Sequence, residues 1–144
     1  MNIELIFNIF NTGVLLPWLL LLVVPKWKGT QWMIQTKAPV VVIGLGYLMM
    51  IVWSLFMVGG GIDFTSFDSI KAAFTREDVM LAGWLHYLAF DLFVGMWEAE
   101  DAAKRSIPHY WVAPCMVLTL MFGPVGFVLY WVLRQRFSVQ EVLH

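Results

Sequence analysis

Residues 79–97 read VMLAGWLHYLAFDLFVGMW, a nearly unbroken apolar run in which His86 and Asp91 stand out. A bilayer core about 30 Å thick is crossed by roughly 20 such residues wound into a helix, so the stretch predicts a membrane span. Just ahead of it, Thr75 followed by Asp78 reads as a capping box. Beyond it, Glu98-Ala99-Glu100-Asp101-Ala102-Ala103-Lys104-Arg105 is rich in helix formers, and Pro108 forces a stop. The expected helix runs from about residue 76 to about residue 106, roughly 46 Å at 1.5 Å per residue. It spans the bilayer and projects a polar end into the headgroup region.

Three further segments have the length and apolarity of spans: residues 5–24, 38–58 and 110–133. The first is interrupted by Asn8, Asn11, Thr12 and Pro17, and the second carries no charge. The last is broken by Pro114 and by Gly123-Pro124-Val125-Gly126. Every backbone group in lipid needs an internal partner, and no alternating strand pattern occurs, so helices follow. After Gly59-Gly60-Gly61, the recurrence of Phe67, Ile70 and Phe74 suggests a short amphipathic helix in the interface. It reads either as a surface helix packing on its own bundle or as a lid over a lipid-facing opening. The expected fold is an all-α membrane protein with four transmembrane helices in a bundle, plus this interfacial helix between helices two and three. Residues 1–144 form one domain.

Composition agrees. The 144 residues are 60% hydrophobic and 13% charged, with mean hydropathy +0.76, where a soluble domain carries about 25% charged residues. This excludes a soluble domain and a disordered chain. Nine basic residues offset by ten acidic ones leave no field for nucleic acid. The single Cys115 excludes an intramolecular disulfide and any cysteine-based zinc motif, and reads as a small buried apolar residue. Glu4 stands where a leader would be basic, so the first segment reads as a retained helix in a complete chain. Four spans divide the basic residues five to four, and the lysine-rich first connection favours both termini outside. The expected location is the inner (plasma) membrane, multi-pass, or a plastid membrane in a plastid-bearing organism.

Tyr87, Asp91, Val94, Glu98, Asp101 and Arg105 follow at intervals of four and three and form one helical stripe. A carboxylate at the depth of Asp91 costs about 2.5–3.5 kcal/mol on insertion scales, so it should face the bundle or a cavity. There it is a candidate proton donor or acceptor. His86 lies about 140° around the helix from it and about 7.5 Å along. Glu4, Asn8 and Asn11, with Thr12, form a second polar stripe, expected to pack on the first with Asn amides bonding Asp91 or its neighbours. The plain alternative is that these residues only glue the bundle, with Glu98, Glu100 and Asp101 a solvated helix end. A metal site would require His86, Asp91, Glu98, Asp101 and His109 to converge. They lack the histidine spacing of di-metal helices, so no metal and no cofactor is expected. Pro114, Gly123, Pro124 and Gly126 read as a packing kink or as a source of freed carbonyls lining a cavity.

Gly83-Trp84-Leu85-His86-Tyr87-Leu88-Ala89-Phe90-Asp91-Leu92-Phe93-Val94-Gly95 resembles the third-helix signature of the abscisic-acid-deficient-four-like membrane proteins. Ile107-Pro108-His109, Pro114-Cys115, Leu118-Thr119-Leu120 and Phe122-Gly123-Pro124-Val125-Gly126 are similar too, as are Asn11 and Leu16-Pro17-Trp18. The resemblance covers nearly the whole chain and departs at Met96-Trp97-Glu98, where the family would place a basic residue after the glycine. It implies neoxanthin-type chemistry, a redox-neutral carotenoid isomerisation that converts a 5,6-epoxide into an allenic alcohol with one acid, one base and no cofactor. On that implication Asp91 is one proton-transfer group and His86, Glu98 or Asp101 the other. Asn11 and Tyr87 orient the substrate, Trp53, Trp84, Tyr87 and Phe90 form aromatic walls, and His109 completes the binding set. The implied partners are the lipid bilayer, a hydrophobic carotenoid or isoprenoid ligand and, left open, further copies of the chain; nucleic acid is not among them. A non-catalytic carotenoid- or lipid-binding protein is the alternative. A small proton-coupled carrier is a weaker one, because four helices lack the inverted repeats of many transporters.

Overall fold

The computed structural model describes residues 2–59 and 61–137, and among these it is helical with no strand. Helices α1 (Ile3–Gly13) and α2 (Leu15–Val23) form one apolar rod broken at Val14. The break has a covalent cause: Pro17 has no N–H to offer the Gly13 carbonyl, and its ring crowds that carbonyl. The helix resumes with a long bond from Trp18 N–H to the Val14 carbonyl, 3.4 Å. At the start, the Asn2 side chain accepts from Leu5 N–H at 3.0 Å and caps α1.

The first connection folds into α3 (Lys28–Thr36), pinned by Thr30 Oγ1 donating to the Val24 carbonyl at 2.9 Å. Lys37, at φ 54°, turns the chain into α4 (Ala38–Trp53), which continues through a π-turn over Ser54–Val58 and ends at Gly59, φ 73°. Gly60, the middle of the expected glycine turn, lies outside the described residues. The expected short helix is present as α5 (Phe67–Ala73), capped by Ser66.

Helix α6 (Glu77–Lys104) matches the expected strut within a residue or two at each end. Its start differs from the capping box read in the sequence. Thr75 Oγ1 donates to the Ala72 carbonyl instead, and Asp78 pairs with Arg76 at 2.7 Å. α6 is central: α1, α2, α3, α4 and the two helices that follow all pack on it. Gly95 lets the Trp18 ring lie directly against its backbone. Three helices are long and apolar enough to cross a membrane: Ile3–Val23, Ala38–Met57 and Glu77–Lys104.

The fourth expected span, residues 110–133, is not a single rod. It divides into α7 (His109–Phe122) and α8 (Pro124–Arg134), folded back on one another. Both ends of the pair sit at the Lys104 end of α6. α7 begins just after it, Arg134 bonds Asp101 at 2.8 Å, and Arg105 donates to the Phe137 carbonyl at 2.8 Å. The turn at Gly123 lies against Asp91, about 15 Å further along α6. Gly123, at φ 45° and ψ −95°, reverses the chain in a conformation that disfavours a side chain, and Pro124 cannot continue α7. Gly126 then brings α8 so close that a Cβ there would collide with Thr119 N and Oγ1.

Both termini were expected on one side; the reversal instead places residue 137 at the hairpin base, at the end of the bundle opposite residue 2, and residues 138–144 lie outside the described residues. It also regroups the charges. Lys26, Lys28, Lys37, Lys104, Arg105, Arg134 and Arg136 gather at the hairpin's base, whereas the opposite end holds Lys71 and Arg76.

Candidate functional site

The polar stripe of α6 faces the α7–α8 hairpin along its length. At the tip, the Tyr87 hydroxyl reaches two carbonyls of the last turn of α7, Met121 at 3.2 Å and Leu120 at 3.4 Å. One turn on, Asp91 is 9% exposed and lies so close to Gly123 that a Cβ there would be 2.6 Å from Oδ1. Two turns further, Glu98 is wholly buried, with Oε1 2.8 Å from Thr119 Oγ1. The same hydroxyl is 3.0 Å from the Cys115 carbonyl, and its single proton serves one of the two acceptors at a time.

At the base, Asp101 is saturated. Its Oδ2 accepts from the Tyr130 hydroxyl at 2.7 Å and Arg105 Nε at 3.1 Å, and its Oδ1 from Arg134 at 2.8 Å. The Arg134 guanidinium also lies over the Trp131 and Trp97 rings, 4.7 and 5.0 Å from their centroids. This cluster ties the hairpin to α6.

The three carboxyls thus divide by satisfaction. Among the described residues, the buried side-chain atoms without a partner are Asp91 Oδ2, Glu98 Oε2 and Arg134 Nε. Leaving a buried polar group unpaired costs about 1–3 kcal/mol. Asp91 and Glu98 thus each leave one carboxyl oxygen without a partner along the seam between α6 and the hairpin.

The other residues singled out in the sequence lie elsewhere. Asn11 Oδ1 accepts from Trp84 Nε1 at 3.1 Å, and Trp84 packs on Tyr87, centroids 5.3 Å apart. Asn11, Trp84 and Tyr87 are therefore brought together, but Glu4 and Asn8 are exposed and no amide of α1 bonds Asp91. The expected pairing of the two polar stripes is corrected: α6 turns its carboxyls to the hairpin, whose glycines let backbone approach them. His86 is exposed on another face, stacked on Phe90 at 4.6 Å and edge-on to Tyr47 at 5.6 Å, and is not brought to Asp91. Phe90 itself is 58% exposed. Trp53 lies in an apolar groove along α4 with Leu45, Met49 and Phe56.

His109 Nε2 hydrogen-bonds the Leu22 carbonyl at 2.8 Å. It lines a cavity of about 400 Å³ at the basic end with Lys26, Gln31 and Ser106. A second cavity of about 400 Å³, almost wholly apolar, lies beside the α1–α2 break against Trp32 and Val42. Neither Asp91 nor Glu98 lines any of these spaces. Among the described residues, no three His, Cys, Asp or Glu side chains converge as a metal-ligand set.

Sequence reasoning missed Thr119, Gly123, Tyr130 and Arg134 as partners of the carboxyls. The signal available was the Gly-Pro-Val-Gly run, which places Thr119 four residues before a chain reversal.

A sequence profile of the ABA DEFICIENT 4-like family matches residues 5–130. Among curated proteins, the chain is 26% identical over 135 residues to "Protein ABA DEFICIENT 4, chloroplastic" of Arabidopsis thaliana. The alignment covers 90% of this chain and 60% of that protein, so the chain spans about three fifths of the relative's length. No solved structure matches the chain.

Proposed function

We propose, for a chain that belongs to the ABA DEFICIENT 4-like family, an integral membrane protein that binds a carotenoid or related isoprenoid and isomerises it by proton transfer at Asp91. The observation that carries this reading is the buried Asp91 with an unpartnered oxygen at the turn of the hairpin. Opening an epoxide to an allenic alcohol breaks one C–O bond, adds a proton to that oxygen and removes one from the adjacent chain carbon. Substrate and product are isomers, so an acid and a base suffice. Asp91 supplies one of these groups, and the Tyr87 hydroxyl lies one turn away to orient the oxygen. Asp91 lines none of the grooves described above, so this reading requires the hairpin tip to part from α6 to admit the guest. Met121, Phe122, Pro124 and Val125, all exposed, form the lip that meets the bilayer.

In place of four spans, this reading has three spans and a hairpin that enters from one side and returns to it. Irregular backbone at membrane depth is tolerated where protein buries it, and α6 buries Gly123. Basic residues favour the cytoplasmic side, so the hairpin base faces the cytoplasm if the membrane is a bacterial inner membrane. A reporter at the N-terminus is then expected outside and one at the C-terminus inside. Four spans would put both on one side.

Expression in a pigment-producing host, followed by separation of the carotenoids, tests the activity. New isomers are expected from epoxidised carotenoids, and unchanged pigments across epoxidised and plain carotenoids overturn it. Pigment that co-purifies at fixed stoichiometry but leaves unaltered makes the chain a carrier instead. Replacing His86 by phenylalanine is expected to leave conversion within about twofold, as for a side chain outside the reacting geometry. A loss comparable to that of an Asp91 variant would move the base to His86.

A further inference from the structure

We propose that two copies of this chain pair in the membrane through the face of α4 and α6 that carries Tyr47 and His86. The two rings meet edge-on, centroids 5.6 Å apart, and His86 also stacks on Phe90 at 4.6 Å. Tyr47 is the tenth of the 20 residues of the apolar helix Ala38–Met57. His86 is two residues short of the middle of the run 79–97, about 3 Å along the axis. Both polar side chains therefore sit near the middle of their spans, about 15 Å from either edge of the hydrocarbon. Neither is long enough to reach the headgroups from there.

His86 is nonetheless exposed and Tyr47 half-buried, and among the described residues neither side chain enters a hydrogen bond. Trp84 and Tyr87, on neighbouring faces of α6, are by contrast bonded to Asn11 and to hairpin carbonyls. Ionisable residues inside a membrane face protein or water rather than hydrocarbon, and histidine is among the side chains that hydrogen-bond across helices. Lipid tails offer this face neither donor nor acceptor.

A second copy of the chain offers both. A two-fold axis along the membrane normal keeps every residue at its own depth, so the Tyr47–His86 band of one copy meets the same band of the other. Such contact is reciprocal. The Tyr47 hydroxyl of each copy donates to the His86 ring of the other, where a neutral imidazole has one nitrogen with a lone pair to accept. The dimer thus gains two equivalent bonds. Phe90 and Phe93 follow His86 at intervals of four and three, are 58% and 43% exposed, and extend the face with apolar area. The face lies about 140° around α6 from Asp91. Pairing therefore leaves the hairpin and its lip clear, and the proposal stands independently of the Asp91 site.

Energy transfer between two colours of the full chain, labelled through a tag at the N-terminus, tests this in vesicles without any pigment. The protein-to-lipid ratio is lowered until dimers part. The native chain is expected to dimerise. His86→Phe and Tyr47→Phe each remove both bonds and are expected to weaken dimerisation about tenfold, at about threefold per interhelical bond. The double variant is expected to be no weaker than either single one. Both substitutions keep a ring in place, and circular dichroism checks that the variants fold. Mixing the two single variants is the decisive measurement. Tyr47 of the His86→Phe copy still meets His86 of the Tyr47→Phe copy, so one bond survives. Mixed dimers are then expected to be about threefold tighter than either variant with itself, beyond statistical pairing. A role within one copy would not produce that preference. A native chain that stays monomeric at every ratio overturns the proposal and leaves this face to lipid or pigment. Mixed dimers no tighter than unmixed ones also overturn it, because the contact then lies elsewhere.

Discussion

Gly126→Leu is expected to separate α7 from α8 and to cost about 3 kcal/mol, the upper part of the range for overpacking a filled interior. The obstacle is not a side chain that can rotate away. A Cβ at Gly126 falls on the backbone nitrogen and hydroxyl of Thr119 and on the Cys115 carbonyl oxygen. Relief requires one helix of the hairpin to move bodily. Movement of α8 carries Tyr130 and Arg134 off Asp101, so the base loosens with the turn. Gly126→Ala is expected to share much of the loss, since the first added carbon already collides. Gly44→Ala is the control: a Cβ there meets nothing within 4 Å, and alanine in a helix is favoured over glycine by about 1 kcal/mol. Thermal unfolding in detergent is the measurement. Equal melting temperatures for the Gly126 and Gly44 variants would mean that α7 and α8 do not pack this closely.

Helix α6 was legible because its information is local. An apolar run of sufficient length, good helix formers beyond it and Pro108 fix the rod, and helical spacing fixes which residues share its face. What that face meets is decided by other parts of the chain. Residues 110–133 have the length and hydropathy of one span, and proline and glycine are common in membrane helices, so Pro114 and Gly123 read as kinks. The reversal depends on a positive φ at Gly123 and on the fit of Gly126 against Thr119, neither of which hydropathy records. The basic residues held a hint: the five-to-four division becomes seven to two once the last two helices turn back. For the same reason the stripe of α1 was paired wrongly. Asn11 needed a donor and found the Trp84 indole, which spacing alone does not distinguish from a carboxyl nearby. Trp53 and His109 stand out by residue type alone, and the fold sends them to an apolar groove along α4 and to the basic end.

Asp91→Asn is expected to lower pigment conversion at least about a hundredfold, while pigment binding and the melting temperature stay near native values. An amide fills the same space against Gly123 but cannot carry a proton to or from a carbon or an ether oxygen, and a positioned acid or base contributes about 10²–10⁴ in rate. Stability should hold because Asp91 Oδ2 has no partner to lose and the amide keeps an oxygen for the neighbouring Tyr87 hydroxyl. Asp101→Asn should behave in the opposite way. Its carboxylate is held by two arginines and a tyrosine, and breaking a largely buried ion pair costs several kcal/mol, about 3–5 at full burial. That variant is expected to melt early and to lose conversion only in proportion to the folded protein remaining. Measuring conversion per folded molecule therefore separates a residue that reacts from one that fastens. If Asp91→Asn converts pigment at the native rate, Asp91 is not the proton-transfer group. If it melts as early as Asp101→Asn, the carboxyl at the hairpin turn is a structural tie, and the unpaired oxygen has a partner within the protein.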